Sequence, residues 1–189
     1  MNRRAASFIL GLALALLLGG AAWWFLAGRG GGSVRGAGPA AVGGPTEKVV
    51  FNVYFAADGG RLRGEPRELD VTEAPKDRIR KILAALLSGP KQPGLYPLFP
   101  QEKVTVGSVQ LDVDGTAYVD LRWPEQPDPP ASGSTEEMQR VYAIVNSVVL
   151  NVPEVSRVVL MWNGFQRESF SGHLDMSRPL SPDRTLIAP

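Results

Sequence analysis

Beyond residue 46, some segments repeat hydrophobic positions with the two-residue period of a strand, and others with the 3.6-residue period of a helix. Residues 47–57, EKVVFNVYFAA, are β-branched and aromatic with partial alternation, which predicts a strand. DGG at 58–60 predicts a tight turn into a second, charged strand over residues 64–71. Pro66 favours a sheet edge for this second strand, because proline cannot donate a hydrogen bond to a neighbouring strand.

A helix is predicted next, from Pro75 to about residue 87. Proline suits the first helical turn, and apolar residues recur at i, i+3, i+4 and i+7 from Ile79. Ser88, Gly89 and Pro90 end the helix, since glycine accepts a terminating conformation and proline cannot continue the helical hydrogen bonds.

A second helix is predicted to begin at Ser134. STEE has the pattern of a capping box, in which Glu137 returns its side chain to the first backbone N–H of the helix. Apolar residues from Met138 to Val149 share one face and are expected to pack in the core, with the helix ending near Asn151.

Two β-hairpins are predicted from short turn signals. The first turns at Asp114 and Gly115, and the second at Asn163 and Gly164, a pair among the strongest hairpin signals. A calcium loop is the alternative for DVDG, but such a loop gathers its carboxylates within one turn, whereas Asp120 lies along a strand. A plain hairpin is therefore the favoured interpretation.

Together these segments give the order ββαββαββ. We expect an α+β fold, a mixed or antiparallel sheet with two helices, as one domain over residues 47–182, followed by a tail at 183–189.

The N-terminus predicts a membrane anchor. The basic tip MNRR precedes 24 uncharged residues, which as a helix reach about 36 Å and so span a bilayer's hydrocarbon core. We assign residues 1–28 to a cytoplasmic tip and signal anchor, and the Gly- and Pro-rich residues 29–46 to a flexible linker. The predicted location is the cell membrane, single-pass, with an extracytoplasmic C-terminal domain. Cleavage before Ala22 is the alternative.

Composition excludes several classes of binding and catalytic site. The first 45 residues carry four arginines and no acids, so the remaining chain has 16 basic and 19 acidic residues and offers no basic face for nucleic acid. The absence of cysteine excludes disulfides, thiolate zinc sites, cysteine nucleophiles and a lipidated cysteine. We expect no cofactor and no metal.

The single histidine of the chain, His173, raises the question of catalysis. A hydrolase would pair it with Asp175 and with Ser169 or Ser171, but residues two apart in an extended segment point to opposite faces. The chain also lacks a G-x-S-x-G elbow, and one histidine cannot build the usual zinc set. The favoured interpretation is structural: Gly172 turns the chain, and the His173 and Asp175 side chains bond to the turn backbone.

Five segments in order resemble one family across residues 48–180: VYFAADGGRL, ILAALLSGPKQPGLYPLFP, VDGTAYVDL, YAIVNSVVLNVPEVSRVVLMWNG and SGHLDMSRPL. The family is the GerMN domain of GerM-type sporulation and spore germination proteins, also found in bacterial lipoproteins. The most specific elements are the LLSGP helix end and the closing segment with Gly172, His173, Asp175 and Pro179. GerM itself has two such domains and a lipidated cysteine, and this chain has neither.

The resemblance implies a noncatalytic extracytoplasmic module related to the ring-building modules of sporulation secretion complexes. We therefore expect a membrane-tethered binding or assembly module, acting in sporulation or spore germination, whose partner is an extracytoplasmic or membrane protein. The charged second strand, RGEPRELD, is one edge that such a partner could extend. The alternative is a small exported cell-wall enzyme or a wall-ligand-binding domain.

The anchor gives the first testable prediction. Carbonate-washed membranes are expected to retain the full-length protein, because a spanning helix resists extraction, and protease added to spheroplasts should reach the C-terminal domain. A mature N-terminus near Ala22 in the soluble exported fraction would contradict an uncleaved anchor.

Overall fold

A computed structural model describes residues 47–71, 74–100 and 102–189. They belong to one compact unit, Gly43–Pro189. The predicted anchor and linker, residues 1–28 and 29–46, lie outside the described residues. No helix in the described ranges is long and apolar enough to cross a membrane.

The described residues contain two α-helices and seven strands, and two short 3₁₀ turns at Asp58–Gly60 and Arg184–Leu186. In chain order the strands and helices are β1 (Glu47–Ala57), β2 (Arg61–Val71), α1 (Pro75–Leu87), β3 (Leu95–Tyr96), β4 (Thr105–Leu111), β5 (Thr116–Arg122), α2 (Ser134–Val149), β6 (Arg157–Trp162) and β7 (Phe165–Gln166).

The strands form two sheets, so the α+β class with two helices is confirmed and the single sheet is wrong. One sheet is antiparallel with the order β2-β1-β3. The other has the order β4-β5-β6-β7 and is mixed, because β5 and β6 run parallel. Parallel neighbours need a long crossover connection, and α2 lies in the chain between these two strands.

The core lies between the helices and the inner faces of both sheets. The apolar stripe of α1, which begins at Ile79, is buried. Trp162 is fully buried, with its ring stacked at 6.0 Å from that of Phe99 and edge-on at 6.0 Å from that of Phe170. Phe99 comes from the proline-rich loop after α1, so this loop closes one side of the core.

Side chains of α2 and the last residues of the chain cover other parts of the fold. Asn151, just beyond α2, accepts a hydrogen bond from the Asn52 backbone N–H at 3.0 Å and donates one to the Asn52 carbonyl at 2.8 Å. Residues 183–189, predicted as a tail, lie against the domain. Asp183 exchanges two hydrogen bonds with the side chain of Asn146, and Ile187 forms a parallel bridge to Leu62 of β2.

Candidate functional site

The segment around the single histidine, residues 169–173, lies against the first turn of α2. That helix begins after Gly133, and no side chain caps it. Glu137 is fully buried and contacts the segment 169–173 instead of returning to the helix start. The predicted capping box is therefore wrong, because this loop offers the carboxylate several donors where the helix start offers one.

Five hydrogen bonds surround the Glu137 carboxylate. Oε1 accepts from Ser169 Oγ at 2.6 Å and from the backbone N–H groups of Phe170 at 2.9 Å and Ser171 at 2.7 Å. Oε2 accepts from the His173 backbone N–H at 2.9 Å and lies 2.9 Å from His173 Nδ1. A buried charge is tolerated only when hydrogen bonds replace its water, and here both oxygens are occupied.

These bonds determine the protonation state of Glu137. Burial by itself raises the pKa of the carboxyl, but hydrogen bonds from Ser169, Ser171 and His173 outweigh burial and lower the pKa from 4.5 to about 2. The side chain is therefore a carboxylate across the physiological pH range, and the loop keeps its donors directed at a permanent negative charge.

The residues considered for catalysis are not brought into a catalytic arrangement. The Asp175 carboxylate accepts from the backbone N–H of Ser177 at 2.9 Å and from its hydroxyl at 2.6 Å, while the His173 ring contacts Glu137. Ser169 donates to Glu137, and Ser171 Oγ lies 3.0 Å from Ser132 Oγ. Neither serine bonds to the histidine ring, as a nucleophile activated by a base would.

Two further residues of this closing segment shape the chain. Gly172 has a φ of +89°, a conformation that favours glycine, and its N–H donates to Ser169 Oγ at 2.7 Å. Pro179 is exposed, and the next residue, Leu180, exchanges two backbone hydrogen bonds with Val158 of β6. The segment is thus hydrogen-bonded to α2 at one end and to β6 at the other.

A second buried carboxylate, Glu65 of β2, holds the loop after α1. Its Oε2 accepts from the backbone N–H groups of Lys91 and Gln92, both at 2.8 Å, and its Oε1 pairs with the buried guanidinium of Arg67. Arg67 in turn donates to the Gly89 carbonyl at 2.6 Å. Burial raises the pKa of Glu65, but the bonds from Gln92, Lys91 and Arg67 lower it overall.

The three residues predicted to end α1 lie in this loop. Ser88 follows the last helical residue, and its Oγ donates to the Ala85 carbonyl at 2.7 Å. Gly89 has a φ of +82°, and Pro90 is half-buried. The helix end and the buried Glu65–Arg67 pair therefore form one connected unit.

A third buried carboxylate, Asp120 of β5, anchors the β6–β7 turn. Asn163 and Gly164 both have positive φ, at 52° and 87°, as the predicted hairpin requires. Asp120 Oδ1 accepts from the Gly164 N–H at 2.7 Å, and the Asn163 side chain accepts from the Trp123 N–H at 2.9 Å. The described residues contain no group of three His, Cys, Asp or Glu side chains that could hold a metal ion.

The first predicted hairpin turn is also fastened by a carboxylate. Asp114 accepts from the Thr116 N–H at 2.9 Å and from Arg157 at 2.6 Å. Hydrogen bonds from the side chain and the backbone of Thr116, and then from Arg157, lower the pKa of its carboxyl. Gly115 has a φ of +81°, and its carbonyl accepts from the Ser156 N–H at 2.9 Å. Asp114 and Gly115 thus link β5 to the start of β6.

Sequence reasoning missed the anchoring roles of Glu65, Asp120 and Glu137, although Glu65 and Glu137 left a signal. Glu137 lies four residues before Val141, so it falls on the apolar face of α2. Glu65 and Arg67 lie two apart and so share the inner face of β2. A charged residue at a core-facing position indicates a buried partner.

Two cavities lie elsewhere on the surface. A groove of about 560 Å³ runs between α1 and the start of β4, and a second cavity of about 540 Å³ lies beside Trp123. Neither is lined by Glu137 or His173. These two cavities are therefore separate from the cluster around the histidine.

One family model matches this chain, and three solved structures show similarity to it. Residues 52–168 match the family model Germane, described as sporulation and spore germination. Two solved structures of the Bacillus subtilis sporulation protein GerM are similar in fold. Its tandem GerMN domains are 17% identical with a TM-score of 0.53, the match covering 71% of this chain and 46% of that one. Its first GerMN domain is 16% identical with a TM-score of 0.50, covering 72% and 98%.

A third solved structure, of a presumed lipoprotein from Clostridium perfringens, is 20% identical with a TM-score of 0.49. That match covers 73% of this chain and 91% of the lipoprotein. No curated protein matches this chain with significant similarity.

The Glu137 carboxylate predicts a specific acid sensitivity. Because its pKa falls from 4.5 to about 2 on folding, it contributes stability that is complete above about pH 4.5 and is lost as the pH falls towards 2. At 1.36 kcal/mol for each unit between the two pKa values, the loss is about 3 kcal/mol. Urea unfolding of the full-length protein in mild detergent, repeated between pH 7 and pH 2, measures it.

Glu137→Gln should be less stable than wild type at pH 7 by about 2–4 kcal/mol, because an amide cannot accept all five bonds, and should lack this component of the pH dependence. Glu136→Gln, at the exposed neighbouring position, is the matched control and should keep it. Parallel pH curves for Glu137→Gln and wild type would contradict the anchoring role.

His173 has a structural role that a second substitution tests. His173→Ala should lower the free energy of unfolding by about 1 kcal/mol, the worth of one hydrogen bond, because the ring loses its contact with Glu137. Partner binding should persist at temperatures at which the variant is folded. A variant with unchanged melting and an abolished activity would revive the catalytic hypothesis.

Proposed function

Since this chain belongs to the Germane family of sporulation and spore germination domains, we propose that it is a noncatalytic, membrane-tethered binding or assembly module outside the cytoplasm. Its partner in this proposal is an extracytoplasmic or membrane protein. The GerM protein of Bacillus subtilis, which has a similar fold, is a sporulation protein, and we extend that setting to this chain as part of the proposal.

One observation carries the proposal. The backbone N–H groups of Lys91 and Gln92, directly after the SGP motif, donate to the buried carboxylate of Glu65. Those of Ser171 and His173, within the SGH motif, donate to the buried carboxylate of Glu137. A catalytic carboxylate has to meet substrate, whereas these two have both oxygens occupied by donors of the chain itself: loop N–H groups and Arg67 for Glu65, and loop donors alone for Glu137. The motifs therefore serve the fold, and function is left to the outer surface.

The proposed tether suits such a module. A Gly-rich linker after an anchor would keep the domain close to the membrane, where the effective concentration of another membrane-bound protein is high. A contact that is weak in dilute solution would then be sufficient to hold the partner at the membrane. The mildly acidic charge of residues 46–189 is consistent with a protein partner and gives no attraction to nucleic acid.

Crosslinking in native membranes tests this function. The full-length protein is expected to form one specific adduct with an extracytoplasmic protein. The purified protein should not hydrolyse peptidoglycan or peptide substrates, because the structure gives no activated nucleophile around His173. Robust turnover of a wall fragment that is lost on changing one side chain would instead favour the exported-enzyme alternative.

A further inference from the structure

The groove between α1 and β4 has an apolar floor. Ala84 and Leu87 line it from the helix, and Val104 and Val106 line it from the strand side. Lys76 Nζ bonds to the Gln110 side chain and Arg80 Nη1 lies 3.4 Å from the Gly107 carbonyl, so α1 and β4 run in opposite directions. An extended chain laid in the groove would therefore run along both elements.

The strand that borders this groove has a free edge. β4 pairs with β5 on one side, and no other strand of the described residues pairs with it. Backbone N–H and C=O groups at such an edge can accept a strand from another protein. A register irregularity between Val106 and Val109, together with Arg80 over Gly107, limits the open stretch to residues before Gly107.

The other long edge, that of β2, is less suited to strand addition. The Leu62 carbonyl accepts from the Ala188 N–H, so Leu62 directs its backbone away from β1. Pro66 lies four residues after Leu62, so its backbone also faces away from β1. Proline has no N–H to donate at this position. Strand addition at β2, the surface suggested by RGEPRELD, would lack a central hydrogen bond, which favours β4.

Charge identifies the chemistry of the occupant. Arg80 and Lys81 lie on the groove wall, and neither forms an ion pair with a described residue. The two acidic lining residues lie at opposite ends, Asp77 on the first turn of α1 and Glu102 before β4. The wall between them is basic, in a chain whose residues 46–189 are acidic overall.

We propose that this groove binds one short extended segment of an extracytoplasmic protein partner. The segment pairs with the open start of β4, at Thr105 and Val106. It places apolar side chains on the floor at Ala84 and Leu87, and directs an acidic side chain at Arg80 and Lys81. Main-chain bonds provide affinity and the side-chain contacts provide specificity. This inference rests on the proposed function and names the site at which it operates.

Defined peptides test the chemistry. The probes are acetylated eight-residue peptides of alternating valine and threonine with two glutamates at one end or the other, and counterparts with two lysines. Fluorescence anisotropy with the full-length protein in mild detergent should show a glutamate peptide binding at least tenfold more tightly than its lysine counterpart. Equal binding of the two peptides overturns the inference.

Two variants locate the binding. Ala84→Gln fills the groove from an exposed helical position and should weaken the glutamate peptide about tenfold, whereas Met138→Gln, on the exposed face of α2, should not. Lys81→Glu should remove the preference for glutamate, with Lys91→Glu as the control outside the groove. Unfolding by urea verifies that each variant is folded, and unchanged binding by both groove variants overturns the assignment.

Crosslinking of Ala84→Gln in native membranes separates the two proposals. Loss of the wild-type adduct in Ala84→Gln, with the adduct kept in Met138→Gln, supports the groove. An adduct that persists in Ala84→Gln overturns the groove while the module function stands. No adduct with the wild-type protein overturns the module function, whichever peptide binds.

Discussion

The negative charge of Glu137, buried one turn into α2, is the constraint on which the C-terminal third of this fold depends. An unpaired buried carboxylate would cost several kcal/mol, so the chain has to supply donors where water is excluded. The loop 169–173 supplies five hydrogen bonds and takes its shape from them. The same helix region also fastens β1 through Asn151 and the chain end through Asn146, so α2 joins distant parts of the chain.

A buried carboxylate that accepts hydrogen bonds from loop N–H groups recurs at two other loops. Glu65 gathers the N–H groups that follow α1, and Asp120 gathers the turn between β6 and β7. In each case a carboxylate on a regular element is directed inward, and a loop closes over it. His173 belongs to this internal scaffold, because its backbone N–H and its ring both contact the Glu137 carboxylate.

A scaffold of this kind leaves the surface to determine what the domain does. The edge of β2 is weakened by Pro66 and by the chain end. The central strand β1 pairs with β3 over only two residues, and side chains from the α2 region bond to its backbone beyond that pairing. In the part of the chain that the structure describes, no strand covers the edge of β4 before Gly107, beside an apolar groove with a basic wall. The assembly module proposed for this chain would need a defined shape and an open edge for its partner, and this distribution of hydrogen bonds is consistent with both.

The sequence by itself determined the local elements, because their causes lie within a few residues. The apolar spacing from Ile79 gave the first helix, and the positive φ required of Asn163 and Gly164 gave the last hairpin. Tertiary structure alone decided that the strands divide into two sheets, since strand pairing is a contact between distant segments. It also decided the role of Glu137, whose local pattern indicates a helix cap. Its donors lie 32–36 residues away in the chain, and the energetic demand of a buried charge selected them over the helix start.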